Sequence, residues 1–143
     1  MTGSSEANGA ERSLVLVVED DPLVRRLVGI QLTELPLDIV EVASGAAALA
    51  ACARRAPSLV LADMGLPDMN GAGLCAEIRQ RYPGTPVCIV SGATGATDRR
   101  LAADAGCSGY LVKPFAAEEL KLLVICMGSV LQIMHKSRRF VRL

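Results

Sequence analysis

The chain has 143 residues, enough for one domain and too few to add a second, catalytic one. Hydrophobic residues make up 51% but aromatics only 3%, so the core has to be built from Val, Leu, Ile and Ala, as in buried parallel strands flanked by helices. Fifteen basic side chains balance fifteen acidic ones, which argues against generalised binding to nucleic acid.

Residues 1–13 are Gly, Ser, Ala, Asn and charged residues without periodicity and read as a disordered lead-in. Ordered chain is expected over 14–128, with 129–143 as an extension of the last helix and a basic tail. Short apolar runs predict strands over 14–18, 38–43, 58–62, 86–90 and 109–112, each followed by a helical pattern. Five β-α units imply a doubly wound parallel sheet with right-handed crossovers and helices on both faces.

Asp21 and Pro22 suit the cap and first position of the first helix, with Val24, Leu27, Val28, Leu32 and Leu35 following at helical spacing. Ser44 can cap the alanine-rich stretch to Arg55. Pro67 and Gly71 bracket a loop before the third helix, which Pro83 and Pro86 end. The 94–105 stretch, with Gly92, Thr94, Gly95 and Thr97 around its start, predicts a mobile fourth helix.

The last helix, from about Ala116, is apolar on more than one side. Leu120, Leu123, Val124, Met127, Leu131 and Met134 form one stripe, while Leu122, Ile125 and Ile133 lie off it. The second apolar surface implies a partner, a homodimer among the candidates, unless Gly128-Ser129 breaks the helix. Lys136, Arg138, Arg139 and Arg142 read as a solvated basic end.

The five cysteines, at 52, 75, 88, 107 and 126, lie in apolar segments without a C-x-x-C pair, so reduced core thiols of a cytoplasmic protein are expected. The N-terminus lacks the pattern of a secretory leader. The apolar stretch 122–135, without an ionised charge, is too short to cross a bilayer.

Four polar stations follow the apolar runs: Glu19-Asp20-Asp21, Asp63, Ser91 and Lys113. Strand ends are where open parallel sheets place their binding crevice, so carboxylates, a hydroxyl and an ammonium should meet on one rim. That mixture suits a divalent cation such as Mg²⁺ and a phosphoryl group held beside a carboxylate nucleophile. Asp20 and Asp63 would supply the metal oxygens, and Lys113 and Ser91 would bind phosphoryl oxygens. Each station alone could be a helix cap, a turn or a solvated lysine; those readings leave their common position at strand ends unexplained.

VLVVEDDP, LADMGLPDMNG, PVCIVSG and GYLVKPF, in this order and at these separations, resemble the receiver domain of two-component response regulators over about residues 14–128. The resemblance implies a flavodoxin-like sheet of order 2-1-3-4-5. It makes Asp63 the phosphoacceptor, Asp20 a direct Mg²⁺ ligand, Glu19 an acid acting through metal-bound water, and Gly65 the donor of a backbone carbonyl to the metal. Asp21 is a third acid, with the choice among the three set by register. Ser91 becomes the switch hydroxyl, Lys113 the ammonium that pairs with phosphate, Tyr110 the switch aromatic, and Lys113-Pro114 a cis peptide.

The implied partners are a sensor histidine kinase or phosphotransfer protein, and a downstream target or missing effector domain reached through the fourth helix, fifth strand and fifth helix. No turnover of free substrates is expected, because Gly65 stands where a dehalogenase-like phosphatase would carry a second acid. Gly65 and Ala93, both small, imply a short-lived phosphorylated state. An alternative is a receiver-like interaction module working without phosphorylation. The segment 71–76 formally matches G-x-G-x-x-G/A, but seven residues separate it from Asp63 and it has no ribose-binding acid at the expected distance.

Overall fold

The computed structural model describes residues 12–92 and 96–127. Strands and helices alternate along it: β1 Ser13–Val18, α1 Pro22–Leu32, β2 Leu37–Val42, α2 Gly45–Arg54, β3 Leu59–Asp63, α3 Gly71–Arg81, β4 Val87–Ser91, α4 Ala96–Asp104, β5 Gly109–Val112 and α5 Ala117–Cys126. The strands form one sheet in the order β2-β1-β3-β4-β5, and every pair is parallel. Parallel neighbours cannot be joined by tight turns, so each connection crosses a face of the sheet as a helix.

Alternation along the strands splits the core into two layers. Leu16, Val18, Val60, Ala62, Val87 and Ile89 face α2, α3 and Ala102 of α4. Val15, Val17, Leu59, Leu61, Cys88 and Val90 face α1 and α5. With both sheet faces covered, the strands can be apolar at every position, which is why they read as unbroken runs.

Local chemistry starts the helices where the fold needs them. Asp21 Oδ1 accepts from the N–H groups of Leu23 (2.9 Å) and Val24 (3.4 Å), with Pro22 in the first turn of α1. Ser44 Oγ accepts from Ala47 N (3.1 Å), and Asn70 Oδ1 from Gly73 N (2.7 Å). Each such cap contributes about 1 kcal/mol.

Several boundaries move by one residue from those expected. β1 and β2 begin at Ser13 and Leu37, while β3 and β4 run on to include Asp63 and Ser91. The backbone ladder continues past the last apolar side chain, and hydropathy cannot sense that. Leu27, expected in the core, is 54% exposed, whereas Val28, Leu32 and Leu35 are buried. Of the apolar positions in the last helix, Leu120 and Val124 are buried, and Leu123, Ile125 and Met127 pack against the same layer. Ile125 therefore faces inward, contrary to expectation. Of the expected surplus side, Leu122 is 61% exposed, while Ile133, the stripe positions Leu131 and Met134 and the basic tail lie outside the described residues, as do 1–11 and Ala93. All five cysteines are unpaired; Cys52, Cys75 and Cys88 are buried, but Cys126 is exposed and Cys107 partly so. Among the described residues no helix is long and apolar enough to cross a membrane.

Candidate phosphoryl and metal site

The register of the sheet sets the site. Val18 pairs with Val42 on one side and Ala62 on the other, and Glu19 N continues the ladder to Val42 O at 3.0 Å. Glu19 is therefore level with Asp63, which pairs with Val90, one residue before Ser91. Ser91 in turn pairs with Val112, and its carbonyl accepts from Lys113 N at 2.8 Å. Four polar side chains thus come to one edge because four neighbouring strands end at nearly one level.

The Lys113 ammonium lies between two of the acids, donating to Glu19 Oε1 at 2.6 Å and to Asp63 Oδ1 at 3.1 Å. Burial pulls its pKa down, but the hydrogen bonds and charges of Glu19 and Asp63 outweigh that and leave it above the ordinary lysine value. The second oxygens are also held: Glu19 Oε2 accepts from Asp21 N–H at 3.1 Å, and Asp63 Oδ2 from Gly65 N–H at 3.2 Å. Arg25, which the sequence did not single out, fixes the turn by donating from Nη1 to the Glu19 carbonyl at 2.8 Å.

One carboxylate oxygen from each of Glu19, Asp20 and Asp63 lies within 4.8 Å of the others. Two ionised carboxylates at that separation repel by about 3 kcal/mol at an effective dielectric constant of ~20. One ammonium against three carboxylates leaves excess negative charge, and hard oxygen donors gathered this closely fit Mg²⁺. Burial sorts the donors. Glu19 is 5% exposed with both oxygens engaged, whereas Asp20 opens to solvent.

Asp21 stays apart from the cluster, spending its carboxylate on the N-cap of α1. Ser91 is buried at the end of β4. Tyr110 is half-buried on β5, with the Arg99 guanidinium of α4 5.0 Å from its ring centroid. Gly65 is exposed beside Asp63; a Cβ there would stand 3.7 Å from Asp63 Oδ2. The Lys113-Pro114 peptide is cis. The sequence also gave no signal for Asp68, whose two carboxylate oxygens accept from Gly45 N and Ala46 N, each at 2.9 Å, at the start of α2. Its partners are 23 and 22 residues away, beyond any local motif.

The family model of the response regulator receiver domain matches residues 15–125. Among curated proteins, the transcriptional regulatory protein KdpE of Mycobacterium tuberculosis is 37% identical over 107 residues, 75% of this chain and 47% of that protein. The response regulator protein FleR of Pseudomonas aeruginosa is 44% identical over 111 residues, 77% of this chain and 23% of that protein. The matched part of this chain spans less than half the length of either relative. Among solved structures, the signal receiver domain of an HD domain-containing protein from Pseudomonas fluorescens superposes with a TM-score of 0.79 at 28% identity, covering 88% of this chain and 99% of that one. The sheet order, the acidic rim with its lysine and the family match agree, and the chain belongs to the receiver domains of two-component response regulators.

Proposed function

We propose that the chain is a phosphorylation-operated switch in which Asp63 accepts a phosphoryl group from phosphohistidine on a sensor kinase or phosphotransfer protein. The observation that carries this is the Lys113 ammonium bridging Glu19 and Asp63 where three carboxylates converge. Asp63 is held at both oxygens, by Lys113 and by Gly65 N–H, so it is oriented before any donor arrives. One carboxylate oxygen attacks phosphorus. The P–N bond to the donor imidazole breaks, its electron pair stays on nitrogen, and Asp63 becomes an acyl phosphate.

Asp20 and Asp63 would hold Mg²⁺ directly, with the Gly65 carbonyl beside them and Glu19 acting through water. Bound there, the ion neutralises charge on the phosphoryl oxygens. Lys113 pairs with one phosphoryl oxygen, and the Ser91 hydroxyl moves to another. Tyr110 follows Ser91 inward, away from Arg99, and changes the surface made by α4, β5 and α5. The chemistry goes no further than phosphorylation from a donor and hydrolysis of the chain's own acyl phosphate, so it is not an enzyme acting on free substrates.

Leu23, Leu27 and Ile30 stand 81%, 54% and 52% exposed at helical spacing on α1. This apolar stripe begins at the end of α1 that carries Asp21, next to the acidic rim. It is the surface on which a phosphohistidine-bearing protein would dock, since docking there brings the donor to Asp63. The downstream target or effector would read the α4-β5-α5 face, where Leu101 and Leu122 are exposed.

The test is the intact mass after incubation with Mg²⁺ and acetyl phosphate. A gain of one phosphoryl group, lost in Asp63→Asn and in EDTA, is expected. No gain in protein shown separately to bind Mg²⁺ would favour an interaction module working without phosphorylation.

A further inference from the structure

We propose that Asp68 is a positioning residue for the acidic site: by fastening loop 64–70 to the N-terminus of α2, it keeps the Gly65 N–H on Asp63. The inference rests on the reading of this site as one that binds a divalent cation.

The loop is closed at its base and clamped at its far end. Gly71 N donates to Met64 O at 2.8 Å, and Gly65 and Asn70 form an antiparallel bridge, so the chain leaves β3 and returns to the same strand end. The closure is tight: a Cβ on Gly71 would meet the Asp63 carbonyl oxygen at 2.5 Å and Met64 Cα at 3.0 Å. At the far end, Asp68 Oδ1 and Oδ2 take the N–H groups of Gly45 and Ala46. Met69 fills the space over Gly45, where a Cβ would meet its Sδ at 2.5 Å.

The first N–H groups of a helix have no partner within it and carry the positive end of its dipole, which suits a carboxylate. Those two bonds hold the Asp68 carboxyl below the ordinary aspartate range. Ser44 takes the next N–H of the same helix, that of Ala47, from its own side. Two side chains therefore cap α2, and Asp68 is the one that belongs to the loop carrying Gly65. Without it, the loop carrying Gly65 loses its polar attachment to α2 and keeps apolar packing such as that of Met69 over Gly45. Its N–H then drifts from Asp63 Oδ2, and one acid of the cation site loses its orientation.

Ser44→Ala removes a cap from α2 without touching the loop, so it separates positioning from general loosening of the helix. Mg²⁺ titrations followed by amide spectra would compare wild type, Asp68→Ala, Asp68→Asn and Ser44→Ala, with thermal unfolding alongside. Asp68→Ala should weaken Mg²⁺ affinity by roughly tenfold, the low end of the effect of losing a partner that orients a metal ligand. Asp68→Asn, which keeps one acceptor, should fall between it and wild type. Ser44→Ala should lower the melting temperature yet keep wild-type affinity. Equal weakening in Asp68→Ala and Ser44→Ala, or wild-type affinity in Asp68→Ala, would overturn the proposal. Wild-type protein that shows no saturable Mg²⁺ binding would remove the cation reading itself, and the proposal with it.

Discussion

Lys113 meets two carboxylates with one ammonium, and Glu19 in particular has little access to water. Lys113→Met keeps the apolar stem and removes the charge, leaving Glu19 and Asp63 facing each other uncompensated. The expected loss is about 1–3 kcal/mol in metal-free buffer, below the range for fully buried pairs because the lysine is partly solvated. Urea unfolding checks it, and added Mg²⁺ should recover part of the loss; an unchanged midpoint would mean that solvent already screens the acids. Gly65 matters for what it lacks. With no side chain 3.7 Å from Asp63 Oδ2, an acyl phosphate there is open to water and should be short-lived. Gly65→Gln should lengthen its lifetime several-fold, read from the decay of phosphorylated mass after donor removal, whereas a wild-type half-life of many hours in Mg²⁺ would contradict the argument.

Helix α1 shows what a sequence reveals about an element and what it hides. Its cap and core residues follow from local rules: Asp21 and Pro22 start it, and Val28 and Leu32 are buried at the expected spacing. Leu27 fits that spacing but faces solvent, because periodicity gives the width of an apolar stripe only loosely and this stripe exceeds what the sheet covers. The placement of Asp63, Ser91 and Lys113 at strand ends was legible because each ends an apolar run, and that of Asp68 was not, because its partners lie on a helix far away in the chain. The exposed stripe carries its own prediction. Leu27→Glu should change stability by less than about 0.5 kcal/mol, as expected for a surface position. It should slow phosphoryl transfer from a phosphorylated donor protein while leaving the acetyl phosphate reaction at the wild-type rate. Equal slowing of both reactions would place the effect in the site and not in docking.

At the scale of the molecule, two covered sheet faces make two dry layers, and a thiol lies in each: Cys75 in the layer under α3 and Cys88 in the layer under α1 and α5. Burial pushes them up to about 11 and about 12, from a reference value of 9.0. Above that reference value the unfolded chain releases the thiol protons while the folded chain keeps them, so stability falls as pH rises and stops falling only past the folded-state values. The slope is at most about 1.4 kcal/mol per pH unit per thiol. Urea unfolding at about pH 8, 9 and 10 should show this decline, and Cys88→Ala should flatten it; parallel slopes would mean that the thiolate is accommodated in the fold. The sheet has another effect through its spacing. Adjacent strands are held at about 4.8 Å by their own backbone hydrogen bonds, and that interval, not any surface side chain, sets how far apart the reactive groups stand. Helix surfaces can therefore be redrawn for a new correspondent while the ruler beneath them stays fixed, so that lineages descending from one such domain can diverge in whom they address while keeping one chemistry.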